Sequence, residues 1–379
     1  MDLRKRGELA KVGGLLLVAL LALIQALTHF GVVYSDSKDY YCLTRFIEGL
    51  RSQAPPSNAL VARPLLPALA ALLDPFLGLP LTYGLLNTLF WLGSALALYF
   101  LTREVVKCEE SALYAALLLS SCWPMVLYAA ASMTEAVGLF ASLATLLLAF
   151  KLMEERSLAK LIAAGLAAGV LTLAREVVLT SLASVIVLAA WRRRPGLMYF
   201  LASWMAVVAA YQLYVNTAFG VNYLTHYMAA GVSYTAKRGL LHQWLDPVVI
   251  SKAFLLGHVP VAWLALLVGF LIEDRREVLL TFYALFIPCF AAFVLWPFHD
   301  LRIAVMCYHA TLPMAGVGLK YISGALSSKP WLSALPNKLW AALIIALSVL
   351  ASNYVVYLDW GQLSTPWDIY MFAPSSLKV

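Results

Sequence analysis

Charged residues are scarce in this sequence. Asp, Glu, Lys and Arg make up 12% of its 379 residues, whereas hydrophobic residues make up 63% and the mean hydropathy is +0.82. Soluble domains typically contain about a quarter charged residues, so this composition excludes an ordinary soluble domain. The short alternating segments that are typical of a transmembrane β-barrel do not dominate either.

Familiar metal and nucleophile motifs are missing as well. The five cysteines are scattered without CxxC spacing, so the sequence indicates neither a zinc site nor a disulfide framework. There is no HExxH motif, no P-loop and no GxSxG elbow. Cys42 and Cys307 both fall near predicted outer segments, and the sequence leaves open whether they pair.

The net charge of +7 has two interpretations, nucleic-acid binding or membrane topology. No basic tract interleaved with aromatic residues, as in nucleic-acid binders, is present. Lys and Arg instead collect in short loops between apolar runs, such as 191–195 and 273–277. The positive-inside rule describes this pattern for cytoplasmic loops beside anionic lipid. We therefore expect membrane lipids, and no nucleic acid, as partners.

Long apolar runs recur along the whole chain, and each is close to the length that crosses a bilayer as a helix. We predict an all-α fold, a polytopic transmembrane helical bundle of about eleven helices that forms one domain over residues 1–379. Interfacial helices are expected in the first outer loop. The predicted spans are approximately 12–30, 81–102, 111–130, 133–152, 160–175, 177–191, 197–214, 253–272, 278–296, 303–323 and 339–357.

The basic residues before the first span place the N-terminus in the cytoplasm. The longer and chemically richer segments, 31–80 and 215–252, then lie on the extracytoplasmic side. Function is therefore expected on the outer face. The protein is predicted to be an integral, multi-pass membrane protein with its active site extracytoplasmic.

The first outer loop carries two acids, Asp36 and Asp39, three residues apart. In a helix they share a face. A partly desolvated carboxylate at a membrane rim can act as general base on a hydroxyl. The alternative is an ordinary solvated loop.

Three further ionisable residues fall at predicted outer helix ends. Arg63 precedes a Pro-initiated helix, Pro64–Leu73, and either grips a lipid phosphate or simply reaches the headgroup layer. Glu135 is either part of the site or a favourable acid at a helix N-terminus. Arg175 lies in a turn within an apolar stretch, where it has to be at the rim or paired, with Glu176 as its nearest partner in the sequence.

Two later segments complete the set of candidates. Lys237 and Arg238 run against the positive-inside trend and are either a phosphate clamp or part of an aromatic interface loop. His299, Asp300 and Arg302 place three ionisable groups within four residues at an outer helix mouth. Such a turn can hold a phosphate or assist proton transfer, although Asp300 can also be a plain helix cap.

Four short motifs, taken in order, resemble the GT-C superfamily of integral-membrane glycosyltransferases, which includes dolichyl-phosphate-mannose-dependent mannosyltransferases. They are YSDSKDYY running into ARPLLP, then SMTE, LAR and HDLR. The resemblance covers the layout of most of the chain. One departure is that the acids read DSKD rather than an acidic pair one residue apart, so the base is open between Asp36 and Asp39, with Asp39 preferred.

This resemblance implies inverting transfer of a hexose, mannose above all, from a polyprenyl-phosphate donor. Asp39 or Asp36 would act as base, and Arg63, Lys237, Arg238 and Arg302 would stabilise the phosphate leaving group. The chain ends soon after its last span, which favours a lipid-linked or small glycan acceptor over a peptide. No metal and no cofactor beyond the lipid-phosphate sugar is expected.

The sequence leaves two other classes of function open. One is a transporter or flippase for a lipid-linked or small polar substrate. Transporters usually place ionisable residues near mid-membrane on broken, repeated helices. Here the charges gather at helix ends, and no matching halves are evident. The other class is an inactive scaffold subunit with the same fold.

Overall fold

A computed structural model describes residues 35–49, 61–122, 125, 128–153, 155–222, 247–258, 260–295, 301–330, 332 and 335–362, with positions 16, 20 and 24. These residues form α-helices, short 3₁₀ segments and connecting turns, and the described part of the chain contains no β-strand. The helices are α1 (Ser35–Ile47), α2 (Leu65–Leu77), α3 (Leu79–Val106), α4 (Glu109–Ser121), α5 (Glu135–Lys151), α6 (Leu158–Thr172), α7 (Val178–Trp191), α8 (Leu197–Phe219), α9 (Pro247–Gly257), α10 (Pro260–Ile272), α11 (Arg276–Leu295), the 3₁₀ helix (Leu301–Cys307), α12 (Tyr308–Ser327) and α13 (Asn337–Gln362).

The predicted fold class is confirmed: the chain is an all-helical membrane bundle. Three of the described helices, α3, α8 and α11, are long and apolar enough to cross a membrane on their own. The number of about eleven spans stays a prediction. The first predicted span, 12–30, lies outside the described residues except for positions 16, 20 and 24.

Two predicted spans are interrupted in the structure. The span 253–272 is divided between α9 and α10, because Pro260 has no backbone N–H to continue the first helix. The span 111–130 ends as a helix at Ser121, shortly before Pro124 in the sequence. The predicted outer loop 215–252 is also shorter than expected, since α8 continues to Phe219 and α9 begins at Pro247.

Helix α2 has the two-faced character expected of an interfacial helix. Leu66 and Ala70 are buried, whereas Leu72 and Phe76 are 69% and 83% exposed. An exposed apolar face this pronounced is suited to the headgroup and acyl boundary of a bilayer.

The bundle has two ends with different chemistry. We call the end that holds Tyr40, Glu135 and Arg175 the site end, and the other the opposite end. At the opposite end, the turns are tied together by polar contacts. Arg275 Nη1 donates to the Val106 carbonyl at 2.7 Å, and Lys320 Nζ lies 3.3 Å from the Cys108 sulfur.

Glycines bring three helices into backbone contact. Helices α10 and α12 meet at Gly318, where a Cβ atom would overlap the Ala265 carbonyl oxygen. Helices α12 and α4 meet at Gly316, where a Cβ atom would overlap the Ser111 carbonyl oxygen. Small residues at such crossings are typical of membrane helix packing.

Replacing Gly318 should therefore separate α10 from α12. We expect Gly318→Ala to destabilise the protein by about 1–3 kcal/mol, the usual cost of overpacking a tight contact. Gly324→Ala on the same helix is the matched control, because its Cβ would meet nothing closer than 3.9 Å. Thermal unfolding in detergent measures the stability of both variants. Equal stability of the two would contradict the tight contact between α10 and α12 at Gly318.

Candidate active site

Four segments of the chain meet at the site end. They are α1, the segment 61–64 before α2, the irregular stretch 129–134 before α5, and the turn 173–177 between α6 and α7. The Leu65 amide donates to the Leu173 carbonyl at 3.3 Å, which joins the start of α2, directly after the second segment, to the fourth segment. Residues distant in sequence are thereby brought together in one polar region.

A forked ion pair fixes the second segment to the fourth. Arg63 Nε donates to Glu176 Oε2 at 2.7 Å, and Arg63 Nη2 donates to Glu176 Oε1 at 2.6 Å. Only 10% and 9% of the two side chains is exposed. Such bidentate pairs are among the strong hydrogen-bonded contacts, and removal of one partner from a buried pair leaves an uncompensated charge.

A second ion pair fixes the fourth segment to α5. Arg175 Nη1 lies 2.7 Å from Glu135 Oε1, with 15% and 1% of the side chains exposed. The partner expected from the sequence, Glu176, is instead engaged by Arg63. Adjacent residues in this turn point to different partners, which sequence proximity could not indicate.

Tyr40 and Thr134 connect the two ion pairs. Arg63 Nη1 donates to the Tyr40 hydroxyl at 2.9 Å, and Arg175 Nη1 donates to Thr134 Oγ1 at 3.2 Å. The two hydroxyls are 3.0 Å apart and share one hydrogen bond. Two guanidinium groups and two carboxylates therefore form a continuous, electrically balanced network, which we call the Arg–Glu network.

The Arg–Glu network holds Glu176 in its ionised form. Burial opposes ionisation of Glu176, but Arg63 and Arg175 outweigh it and hold the pKa of this carboxyl below its ordinary value. The network is thus a charged structure at neutral pH, stabilised by mutual compensation.

Helix α1 is held against the third segment by one polar face. Ser37 Oγ donates to the Ser132 carbonyl at 2.7 Å, and the Tyr41 hydroxyl lies 2.6 Å from Ser132 Oγ. Burial raises the pKa of Tyr41 to about 12, despite its hydrogen bond to Ser132. The phenol is therefore a neutral hydrogen-bonding group rather than an acid or base at neutral pH.

Two buried residues of α3 complete this support. Asn87 Nδ2 donates to the carbonyls of Ala131 and Met133 at 2.6 and 2.7 Å. The Tyr83 hydroxyl donates to the Tyr40 carbonyl at 3.2 Å. Asn87 and Tyr83 were not predicted from the sequence as residues of the site. The recurrence of Ser37, Tyr40, Tyr41 and Thr44 at helical spacing was the signal for the buried face of α1, but tyrosines alone suggest only an interface belt.

The predicted base, Asp39, lies on α1 and is half-buried. Helical spacing places it away from the face formed by Ser37 and Tyr41, each two residues from it. Asp36 lies one turn earlier on the same helix, and its side chain is outside the described part of the structure. The contacts of Ser37 and Tyr41 therefore fix the orientation of α1, and Asp39 projects from a different side of the same helix.

The other predicted site residues divide into two groups. Arg63, Glu135 and Arg175 are brought together in the Arg–Glu network. Lys237, Arg238, His299 and Asp300 lie outside the described residues, as does the Arg302 side chain, although its backbone belongs to the 3₁₀ helix. That helix packs against α5, which begins at Glu135. Arg302 and Glu135 therefore belong to elements that pack against each other.

Among the residues that the structure describes, no group of three or more His, Cys, Asp or Glu side chains is arranged to hold a metal ion. The absence of a metal remains a prediction. No disulfide joins Cys42 to Cys307, the pair that the sequence left open.

The fold of this chain is similar to that of several solved structures. The chain matches undecaprenyl-phosphate-bound ArnT from Cupriavidus metallidurans with a TM-score of 0.57 and 16% identity, over 91% of this chain and 72% of that one. It has the GT-C fold, as predicted. No protein-family model and no curated protein sequence matches it.

Two further GT-C structures are similar. The archaeal oligosaccharyltransferase AglB from Archaeoglobus fulgidus, in complex with an inhibitory peptide and dolichol phosphate, matches with a TM-score of 0.54 and 14% identity, over 92% of this chain. The apo form of an oligosaccharyltransferase from the same organism matches with a TM-score of 0.53 and 14% identity, over 91% of this chain. The chain spans 55% of the length of each of these two structures.

A double-mutant cycle tests the forked ion pair between Arg63 and Glu176. We expect Arg63→Gln or Glu176→Gln alone to destabilise the protein by about 3–5 kcal/mol, because each leaves a buried charge uncompensated. The double variant should lose clearly less stability than the sum of the losses of the two single variants. Chemical unfolding in detergent measures the coupling.

The exposed pair at the opposite end is the control for this cycle. Lys107 and Glu104 lie 2.9 Å apart, with 70% and 34% of their side chains exposed. Their coupling should be no more than about 1 kcal/mol. Equal coupling energies for the two pairs would contradict the structural role of the Arg–Glu network.

The pKa of Glu176 predicts a specific acid sensitivity. Because its folded pKa is below the ordinary value of 4.5, its contribution to stability is fully present above that value. The contribution is lost as the pH falls through the lower folded pKa. The difference in Tm between the unmodified protein and Glu176→Gln should therefore shrink below pH 4.5. A difference that stays constant at all pH values would contradict this prediction.

Proposed function

We propose that this protein is an integral-membrane glycosyltransferase that moves a hexose, in the first instance mannose, from a polyprenyl-phosphate donor to a lipid-linked or small glycan acceptor. The observation that carries the proposal is the position of Asp39. It is a half-buried acid on a helix anchored at the site end of a GT-C fold. The similar structures ArnT and AglB were solved with undecaprenyl phosphate and dolichol phosphate respectively.

In the proposed reaction, Asp39, or Asp36 one turn earlier, accepts the proton of the acceptor hydroxyl. The hydroxyl oxygen attacks the anomeric carbon and forms the new glycosidic bond. The bond from that carbon to the phosphate oxygen breaks on the opposite side, so the configuration inverts. The polyprenyl phosphate departs with the bonding electrons, and no oxidant or metal is required for the balance.

The developing charge on the leaving phosphate needs cations. Arg63 and Arg175 already neutralise Glu176 and Glu135, so the Arg–Glu network brings no net positive charge to the site. We therefore assign phosphate stabilisation first to Arg302, Lys237 and Arg238, and a positioning role to Arg63, Arg175 and Glu135. His299 and Asp300 would support Arg302 at the same helix mouth.

The proposed sidedness follows from charge. The basic turns of the opposite end, which include Arg193, Arg275 and Lys329, face the cytoplasm by the positive-inside rule. The N-terminus lies on that side and the site end lies on the extracytoplasmic side. A polyprenyl-phosphate donor would then be consumed from the outer leaflet.

Label transfer tests the proposal. Purified protein in lipid vesicles would be incubated with radiolabelled polyprenyl-phosphate mannose or glucose and a membrane glycolipid extract as the acceptor. We expect label to appear in the acceptor fraction, and Asp39→Asn to reduce the rate at least about 100-fold, the usual contribution of a general base. Asp36→Asn is measured in parallel, because the base assignment lies between these two acids.

Asp274→Asn is the matched control, since Asp274 is an exposed acid at the opposite end. Its rate should equal that of the unmodified protein. Full activity in both Asp36→Asn and Asp39→Asn would overturn the catalytic assignment. Movement of intact donor between leaflets without transfer of label would instead identify a flippase.

A further inference from the structure

A cleft lies at the opposite end of the bundle, far from the Arg–Glu network. It has a volume of about 480 Å³ and is formed between the turn 152–157 after α5 and the turn 192–196 after α7. Three arginines line it, Arg156, Arg193 and Arg194, and all three are exposed. The role proposed above for the site end does not use this cleft.

Glu155 is the one acid in the described part of the lining, and its side chain is already engaged. Glu155 accepts a hydrogen bond from Lys160 Nζ at 2.9 Å and from the backbone amides of Arg156 and Ser157, each at 2.9 Å. Its charge is therefore compensated locally. The described lining of the cleft therefore carries a net positive charge.

The backbone turns Arg193 away from the bundle. Arg192 points inward, where its Nη2 donates to Thr281 Oγ1 at 3.0 Å. Arg193 adopts a left-handed conformation with φ of 51°, and the Arg194 amide closes the helix end on the Ala189 carbonyl at 3.0 Å. Within the described residues, neither Arg156 nor Arg193 donates a side-chain hydrogen bond. Two guanidinium groups thus stand at the cleft with their donors available.

An apolar stripe begins at the cleft and follows α6. Leu158 lines the cleft, and the residues that follow it at four-residue spacing remain on the same helix face. The exposed fractions along this stripe are 48% for Leu158, 37% for Ile162, 44% for Leu166 and 45% for Val170. The stripe is therefore an outward-facing apolar surface about three turns long, of the kind that contacts acyl chains in a membrane protein.

We propose that this cleft binds an anionic phospholipid. The headgroup phosphate is held between Arg156 and Arg193, and one acyl chain lies along the stripe from Leu158 to Val170. Cations at the mouth of a cleft and an apolar track leading away from it match the two parts of this ligand, since basic pockets at a cytoplasmic membrane surface favour anionic headgroups. The proposal is independent of the proposed glycosyl transfer.

Native mass spectrometry of the full chain in detergent tests the proposal directly. Palmitoyl-oleoyl phosphatidylglycerol and the corresponding phosphatidylcholine are the two probes. We expect the unmodified protein to retain the phosphatidylglycerol in preference to phosphatidylcholine. The Arg156→Gln/Arg193→Gln variant should bind phosphatidylglycerol roughly 30-fold more weakly, a factor of about five for each basic residue.

Lys329→Gln/Lys338→Gln is the matched control, because it removes two exposed cations at the same end outside the cleft. Its affinity for phosphatidylglycerol should stay within about twofold of the unmodified protein, as expected for charges distant from a specific site. Equal weakening of both double variants would show diffuse surface attraction and overturn the proposal.

Two more outcomes decide the nature of the ligand. Thermal unfolding establishes that the cleft variant is folded, since both of its changed residues are exposed. Displacement of the lipid by soluble glycerol 3-phosphate at similar concentration would show a headgroup-only site and would overturn the role of the stripe. Equal retention of phosphatidylcholine and phosphatidylglycerol would overturn the role of the two arginines.

Discussion

The Arg–Glu network is the constraint on which the arrangement of the site end depends. A buried guanidinium or carboxylate without a counter-ion costs several kcal/mol, so each of the four charges requires its partner to be in place. The partners come from segments that are up to 113 residues apart in the sequence. Tyr40 joins these ion pairs to α1, so the helix that carries Asp39 is positioned by the same set of contacts.

Charge is distributed very differently at the two ends of the bundle. At the site end the arginines of the network are buried against glutamates, and their charges are cancelled. At the opposite end, residues such as Arg156 and Arg193 are exposed around a cleft and retain their positive charge. The first arrangement fixes geometry, whereas the second creates an electrostatic attraction for anions. One amino-acid type therefore has two physical roles, which burial and the nearest acid decide.

The helical membrane class and the order of the helices were predictable because apolar length and composition are local properties of the sequence. The predicted span 197–214, for example, corresponds to α8 (Leu197–Phe219). The interruption at Pro260 also has a local cause, the missing backbone N–H of proline, although the apolar pattern alone predicts one span over 253–272. Local information was sufficient wherever backbone hydrogen bonding or the length of an apolar run decided where a helix begins and ends.

The ion pairs and hydrogen bonds of the site end could not be predicted from local sequence. Arg175 is adjacent to Glu176 in the sequence, yet it pairs with Glu135, because the turn directs successive side chains to different neighbours. The support given by Asn87 likewise depends on α3 passing the stretch 129–134. Such contacts arise only when the helices are packed, and a single sequence carries no direct record of them.

The glycine contacts at Gly316 and Gly318 have a mechanical consequence. Helices α4, α10 and α12 touch through their backbones, with no side chain between them that could rotate and absorb a displacement. Sliding any one of them would drive carbonyl oxygens into the neighbouring helix, so the three move as a single rigid block. Any bulky ligand that enters this bundle sideways would then have to pass elsewhere, between elements whose contacts are made by side chains alone.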